Sequence, residues 1–214
     1  MKRIAAAFIC ILALAACARQ PSGTADVPRL LPQSYRIAVA PFTQPLNPGQ
    51  LITGQIPENQ GLIPQDGLLA LDLDLRQTLL SGTRRQYDFI PPQNLAKELD
   101  HSRSTGQAGA LPRWLEYGKA HNAQLLLVPM ILNWHEREGS QAGVTSSAHA
   151  RVEFFLLSIP DKGVMNRSIY EEKQVGLVDN LLTVGDFVKR KGQWVSARDL
   201  AVEAMTQAVR DLGL

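Results

Sequence analysis

The chain has 214 residues, 45% of them hydrophobic, and sets 22 basic against 20 acidic side chains for a net charge of +2. That balance lacks the basic surplus with which nucleic-acid binders meet phosphate, so no nucleic-acid partner is expected. Both cysteines, Cys10 and Cys17, stand in the first 17 residues, which excludes a disulfide framework for the rest.

The amino terminus reads as an export signal. Lys2 and Arg3 precede an uncharged run, Ile4 to Ala16. The run is too short for a spanning helix, which needs about 20 apolar residues, and fits the apolar region of a secretory signal. It ends "LAAC" at Cys17. Small residues before a cysteine at this place resemble the lipobox of bacterial lipoproteins. In that family the cysteine is acylated and becomes the first mature residue. The resemblance implies a signal peptide over 1–16, a lipid-anchored Cys17 and membrane attachment through its acyl chains. A cleaved signal with an incidental cysteine is the plainer alternative. Removing residues 1–16 takes Lys2 and Arg3 with it and leaves 198 residues with no net charge. Stable anchoring by more than one acyl chain needs no basic patch. Ala18 stands where an Asp would resemble the inner-membrane retention signal. Its presence points to the outer membrane, with the domain facing the periplasm.

With Cys17, residues 18–34, "ARQPSGTADVPRLLPQS", form an anchor and tether rich in Pro, Ser and Gly. Fully extended at ~3.3 Å per residue, this tether reaches roughly 50 Å. Residues 35–214 suit one domain with one core. "YRIAVAPF" reads as a buried strand closed by Pro41. The segment 44–67, "QPLNPGQLITGQIPENQGLIPQDG", is too broken by Pro and Gly for regular structure. Yet it carries Leu46, Leu51, Ile52, Ile56, Leu62 and Ile63 beside only two charges, Glu58 and Asp66. Connections beyond ~12–15 residues are uncommon unless functional or disordered. Its aliphatics either cover the domain's own surface or await a partner, and both readings stand.

"LLALDLDLRQTLLSGTRR" is ambiguous, because its leucines alternate like a strand and also share a helical face. Its length and its Leu, Asp, Arg and Gln content decide for a helix ending near Gly82. "YDFIPP" is a short strand and "QNLAKELDH" a short helix. Pro112 opens the helix "PRWLEYGKAHNA". "QLLLVPMILNW" is a central apolar strand in which Pro129 signals a bulge or an edge. "HEREGSQAGVTS" is a polar turn region. "SAHARVEFFLLSIP" and "VMNRSIYEEKQV" form a hairpin about "DKG". In the last helix, Ser196 and Asp199 form a capping box. Leu200, Ala204, Met205, Ala208, Val209 and Leu212 form its apolar stripe, and Gly213 stops it. The order β-α-β-α-α-β-β-β-α predicts an α/β (α+β) domain: a mixed sheet of four to five strands packed by helices.

The runs "YDFIPPQNLAKEL", "NAQLLLVPMI" and "VEFFLLSIPDKGVMNRSIYEEKQV", followed by the amphipathic helix, resemble the periplasmic domain of the curli secretion channel lipoprotein (CsgG-like). They are also similar in outline to the amino-terminal domain of TolB and to lipoprotein activators of penicillin-binding proteins (LpoB-like). The likeness covers roughly residues 35–212 in order of elements and has no sharp motif. It implies a non-enzymatic envelope lipoprotein that docks on or assembles with protein partners, with homo-oligomers possible. The alternatives are a regulator of a cell-wall synthase, for which the tether is short, and a periplasmic hydrolase. One departure is clear. Each transmembrane strand of a channel needs ~9–11 alternating residues. "HEREGSQAGVTSS" is short and polar, and "VGLVDNLLTVGDFVKRKGQW" suggests a helical face, so no pore is expected.

Local motifs for chemistry are sparse. His101, His121, His135 and His149 have no i, i+4 pair, and there is no HExxH. "WHERE", Trp134–Glu138, reads as a solvated strand end before a metal site. No GxSxG, GxGxxG or P-loop occurs, so no catalytic residue and no cofactor are expected. Asp72 and Asp74 point apart on a helix and read as a solvated face. Trp114 and Tyr117 read as helix-packing residues. Lys189, Arg190 and Lys191, between Phe187 and Trp194, could meet lipid headgroups or peptidoglycan carboxylates, though an exposed turn explains them as well.

Overall fold

The computed structural model describes residues 30–104, 109–140, 143–173 and 195–214. Cys17, His101, the second candidate insertion and the Lys189–Lys191 cluster lie outside the residues whose side chains are described. The chain runs through β1 (Ile37–Val39), α1 (Gln65–Gly82), β2 (Tyr87–Phe89), α2 (Leu95–Ser104), α3 (Ala110–Ala120) and β3 (Leu125–His135). It continues through β4 (Glu138–Ser140), β5 (Gly143–Ser146), β6 (His149–Ser158), β7 (Gly163–Lys173) and α4 (Ala197–Leu212). The five-stranded mixed sheet has the order β2-β1-β3-β6-β7. β1 is parallel to β2 and β3, and β6 and β7 continue antiparallel. This is the α+β class and the element order expected. The addition is a small ribbon, β4–β5, in the region read as a polar turn. Its strands have three and four residues, far short of a membrane-spanning strand. No helix among the described residues is long and apolar enough to cross a membrane.

Two cores form because β3 is buried on both faces. Leu125, Leu127 and Ile131 face α1 and α4, while Leu126, Val128, Met130 and Leu132 face α2 and α3. A bulge between Ile131 and Asn133 resets the alternation, so that Trp134 joins the α1/α4 side. On the α2/α3 side β6 departs from an apolar pattern. Glu153 is fully buried there, held by Arg167 at 2.6 Å and Arg151 at 3.1 Å. A buried carboxylate persists only when paired in this way.

Pro129 sits in the central strand without breaking it. The backbone groups of Leu125 and Ile131 face β1 and its extension: the Leu125 amide donates to Arg36 O and the Ile131 amide to Thr43 O. By alternation Pro129 faces the same way, where β1 has already ended. Seven residues on β3, Leu125 to Ile131, therefore match eight on the β1 side, Arg36 to Thr43, and one extra residue is looped out near Pro41 and Phe42.

α4 is built as its sequence reads. The Ser196 hydroxyl accepts the Asp199 amide and Asp199 accepts the Ser196 amide, closing the capping box. Gly213, at φ 69°, takes the left-handed turn that ends the helix. Leu200, Ala204, Met205, Ala208 and Leu212 are buried, and Val209 is partly so. Part of the stretch read as tether belongs to the domain. The Leu31 amide donates to Gly213 O, and the buried Arg85 guanidinium donates to Leu31 O and Pro32 O.

Candidate functional site

The crossovers create a crevice. From β1 the chain moves outward to β2 through α1 on one face. It then returns past β1 to β3 through α2 and α3 on the other. Where the winding reverses, the loops leaving the carboxyl ends of β1 and β2 part. Such switch points are where open sheets with parallel strands hold ligands. Here a cavity of about 420 Å³ opens between the start of α1, the start of α2 and the start of α3. A second lobe of about 370 Å³ lies on the β2 side and shares Leu69, Asp72 and Pro92 with the first.

Asp72 stands where the lobes meet. It reaches the sheet because Phe42 is the residue looped out of the ladder. The freed Phe42 amide donates to Asp72 Oδ1 at 2.7 Å, while no described residue donates to Oδ2. Burial pushes the carboxyl up to about 6, against the smaller opposing effect of that amide. Asp74 faces elsewhere and takes Arg198 of α4 in a two-pronged pair at 2.7 and 2.8 Å. The expected separation of the two aspartates holds, but the solvated face does not. One carboxyl caps a strand end, and the other ties two helices together. Nothing local in "LDLD" showed this, because the partners are 30 and 124 residues away.

The wall opposite α1 is the long connection, which runs to Pro64 because α1 begins at Gln65. Its outgoing limb is pinned by Arg113, whose guanidinium donates to Gly49 O and Gly109 O. Its returning limb is stitched to β3. Gln60 donates to Pro45 O and Leu132 O, the Gly61 amide to Asn133 Oδ1, and the Trp134 amide to Gly61 O. At Gly61 any side chain would start 1.9 Å from Trp134 O, so only glycine lets the strands approach.

The six aliphatics of this segment do not share one role. Leu51 is buried in the α2/α3 core and Ile63 in the α1/α4 core. Ile52 and Ile56 pack partly against the former. Only Leu46 and Leu62 are left out, 62% and 63% exposed. They are joined by an exposed face of α1 that sequence reasoning passed over, Leu69, Leu73 and Leu80. The alternating leucines that first suggested a strand are two faces of one helix. Leu71, Leu75 and Leu79 point inward, and this second set points outward.

Other residues singled out from the sequence are structural. Trp114 and Tyr117 are both buried and meet edge to face at 5.5 Å, with Trp114 also flooring the first lobe. His135 stacks on His149 at 6.0 Å and meets Asn59 O, while Asn133 contacts His149 Nδ1. Glu136 accepts the Ala197 amide at the start of α4. Among the described residues no group of three or more side chains is placed to hold a metal ion.

No family model matches the chain, and no curated protein matches it in sequence. Solved structures of similar shape include the PelC dodecamer from Paraburkholderia phytofirmans (13% identity, 87% of this chain and 92% of that one, TM-score 0.47). Lipoprotein GNA1162 from Neisseria meningitidis is 9% identical over 74% of this chain and 98% of its own, with a TM-score of 0.34. The LpoB C-terminal domain from Salmonella enterica is 8% identical over 65% and 83%, with a TM-score of 0.35. The likeness is one of architecture.

Proposed function

We propose that the protein is a lipid-anchored, non-enzymatic module of the bacterial envelope. Acylated Cys17 holds it at the outer membrane, and it acts by binding a protein partner at the rim of the crevice. The observation that carries this reading is the set Leu46, Leu62, Leu69 and Leu73. Each is about half exposed or more; Leu69 lines both lobes, Leu73 the second, and Leu46 and Leu62 stand on the connection that walls the first. Scattered exposed leucines are ordinary, whereas several around one concavity mark an interaction surface. The lipobox supplies the anchor and the compartment. The test is cross-linking and co-purification from membranes of the natural chain against a variant with all four leucines changed to Gln. The variant folds with an unchanged melting temperature and loses the partner. Retention of the same partner at the same yield overturns the reading.

A further inference from the structure

The two lobes of the crevice share a single acid and an apolar lining, and the bonds already made there decide what could enter. Phe42, Leu68, Leu99 and Trp114 contribute apolar wall to the first lobe. Of its charged groups, Arg113 gives its guanidinium to the carbonyls of Gly49 and Gly109. Gln44 is spent on Gly61 O and the Ile63 amide. In the second lobe Arg76 lies over the Phe89 ring, 4.5 Å from its centre. Inside the exposed rim of Gln50, Gln65 and Gln93, one acceptor that a ligand could reach remains unspent: Asp72 Oδ2 has no donor among the described residues. Thr43 Oγ1 also lacks a partner among the described residues, but it is shut away from solvent and so from a ligand. The Asp72 carboxylate accepts hydrogen bonds and can carry a negative charge. The remaining capacity is for a donor with positive charge on an apolar stem.

We infer that the crevice binds an alkylammonium group, the ammonium on Asp72 and the stem along Leu69 and Trp114. For its source, a lysyl side chain from a docked protein segment, this rests on the binding reading above; for its chemistry it does not. The two lobes on either side of Asp72 give such a segment room for the residues flanking the lysine. A charge-assisted bond in a half-buried, apolar setting is roughly twice as strong as a neutral one.

The experiment follows amide and indole signals of the full-length protein in detergent by NMR. The titrants are hexylamine, hexanol, hexanoate and the peptide acetyl-Leu-Lys-Leu-amide. Hexylamine is expected to shift the Phe42 amide and the Trp114 indole. Asp72→Asn, which keeps an acceptor for the Phe42 amide, weakens it by about tenfold or more. Tighter binding of the peptide, with shifts at Phe89 and Ile90 in the second lobe, assigns a lysyl source. Hexylamine binding without gain for the peptide assigns a free amine and retains the chemistry. Equal shifts from hexanol, no shift from either amine, or undiminished binding by the folded Asp72→Asn variant overturns the inference. A variant changed to Gln only at Leu46, Leu62 and Leu73, which spares Leu69, can lose its partner while hexylamine still binds, so failure of docking and failure of the amine site are told apart.

Discussion

Asp72 is held in a setting that disfavours its charge. Its carboxyl stands at about 6 in the folded protein against an ordinary 3.8, chiefly because burial strips it of water. The folded chain therefore takes up this proton more readily than the unfolded one. The group's contribution to stability rises as pH falls through 6 towards 4, and above 6 the charged form costs stability. Asp72→Asn removes that cost. At pH 7.5 the variant should be more stable by roughly 1–2 kcal/mol, a figure discounted for partial solvent contact. At pH 4 the gain should vanish. Urea denaturation at the two pH values measures both. A variant that gains stability while losing affinity for an amine shows a binding site kept at the expense of the fold.

Elements differ in how openly they declare themselves. α4 was legible throughout, because cap, stripe and stop are all local signals. Leu200→Ala should cost roughly 2–5 kcal/mol, since the side chain is fully buried. Asp199→Ala should cost about 1 kcal/mol through the lost capping box. Thermal or urea unfolding reads both. α1 was legible as a helix but not in its outer leucines, since one face of leucine suffices to dock it and the second has no structural reason. The connection after β1 was legible only as too long and too apolar. Its course depends on Gln60 and Gly61 meeting Leu132 and Asn133 of β3 across 72 residues, and no local pattern announces that. It follows that Leu51→Ala or Ile63→Ala should destabilise by roughly 2–5 kcal/mol. Leu46→Ala and Leu62→Ala should stay within about 0.5 kcal/mol. Comparable losses at all four positions would show that the exposed pair is packing too. The crevice itself was invisible for a similar reason: it arises from the order of strands, not from any stretch of sequence.

At the scale of the whole molecule, the proposed anchor is open to a direct check. Cys17→Ser should release the protein from washed membranes or leave its signal uncleaved. The mass of the membrane-bound form should exceed that of residues 17–214 by acyl chains. The clamp of Arg85 on Leu31 and Pro32, with the Leu31 amide on Gly213, fixes where the tether meets the domain. Arg85 lies just before β2 and Leu31 a few residues before β1, so this junction is at the entry ends of the parallel strands. The crevice lies at their exit ends. With the proposed lipid on Cys17, a pull through the tether would act on the base of the domain and leave the opposite pole facing away from the bilayer. A partner of the proposed kind would then approach from the side away from the membrane, and a carboxy-terminal tag, starting beside the clamp at the buried Leu214, would crowd the stalk and spare the mouth.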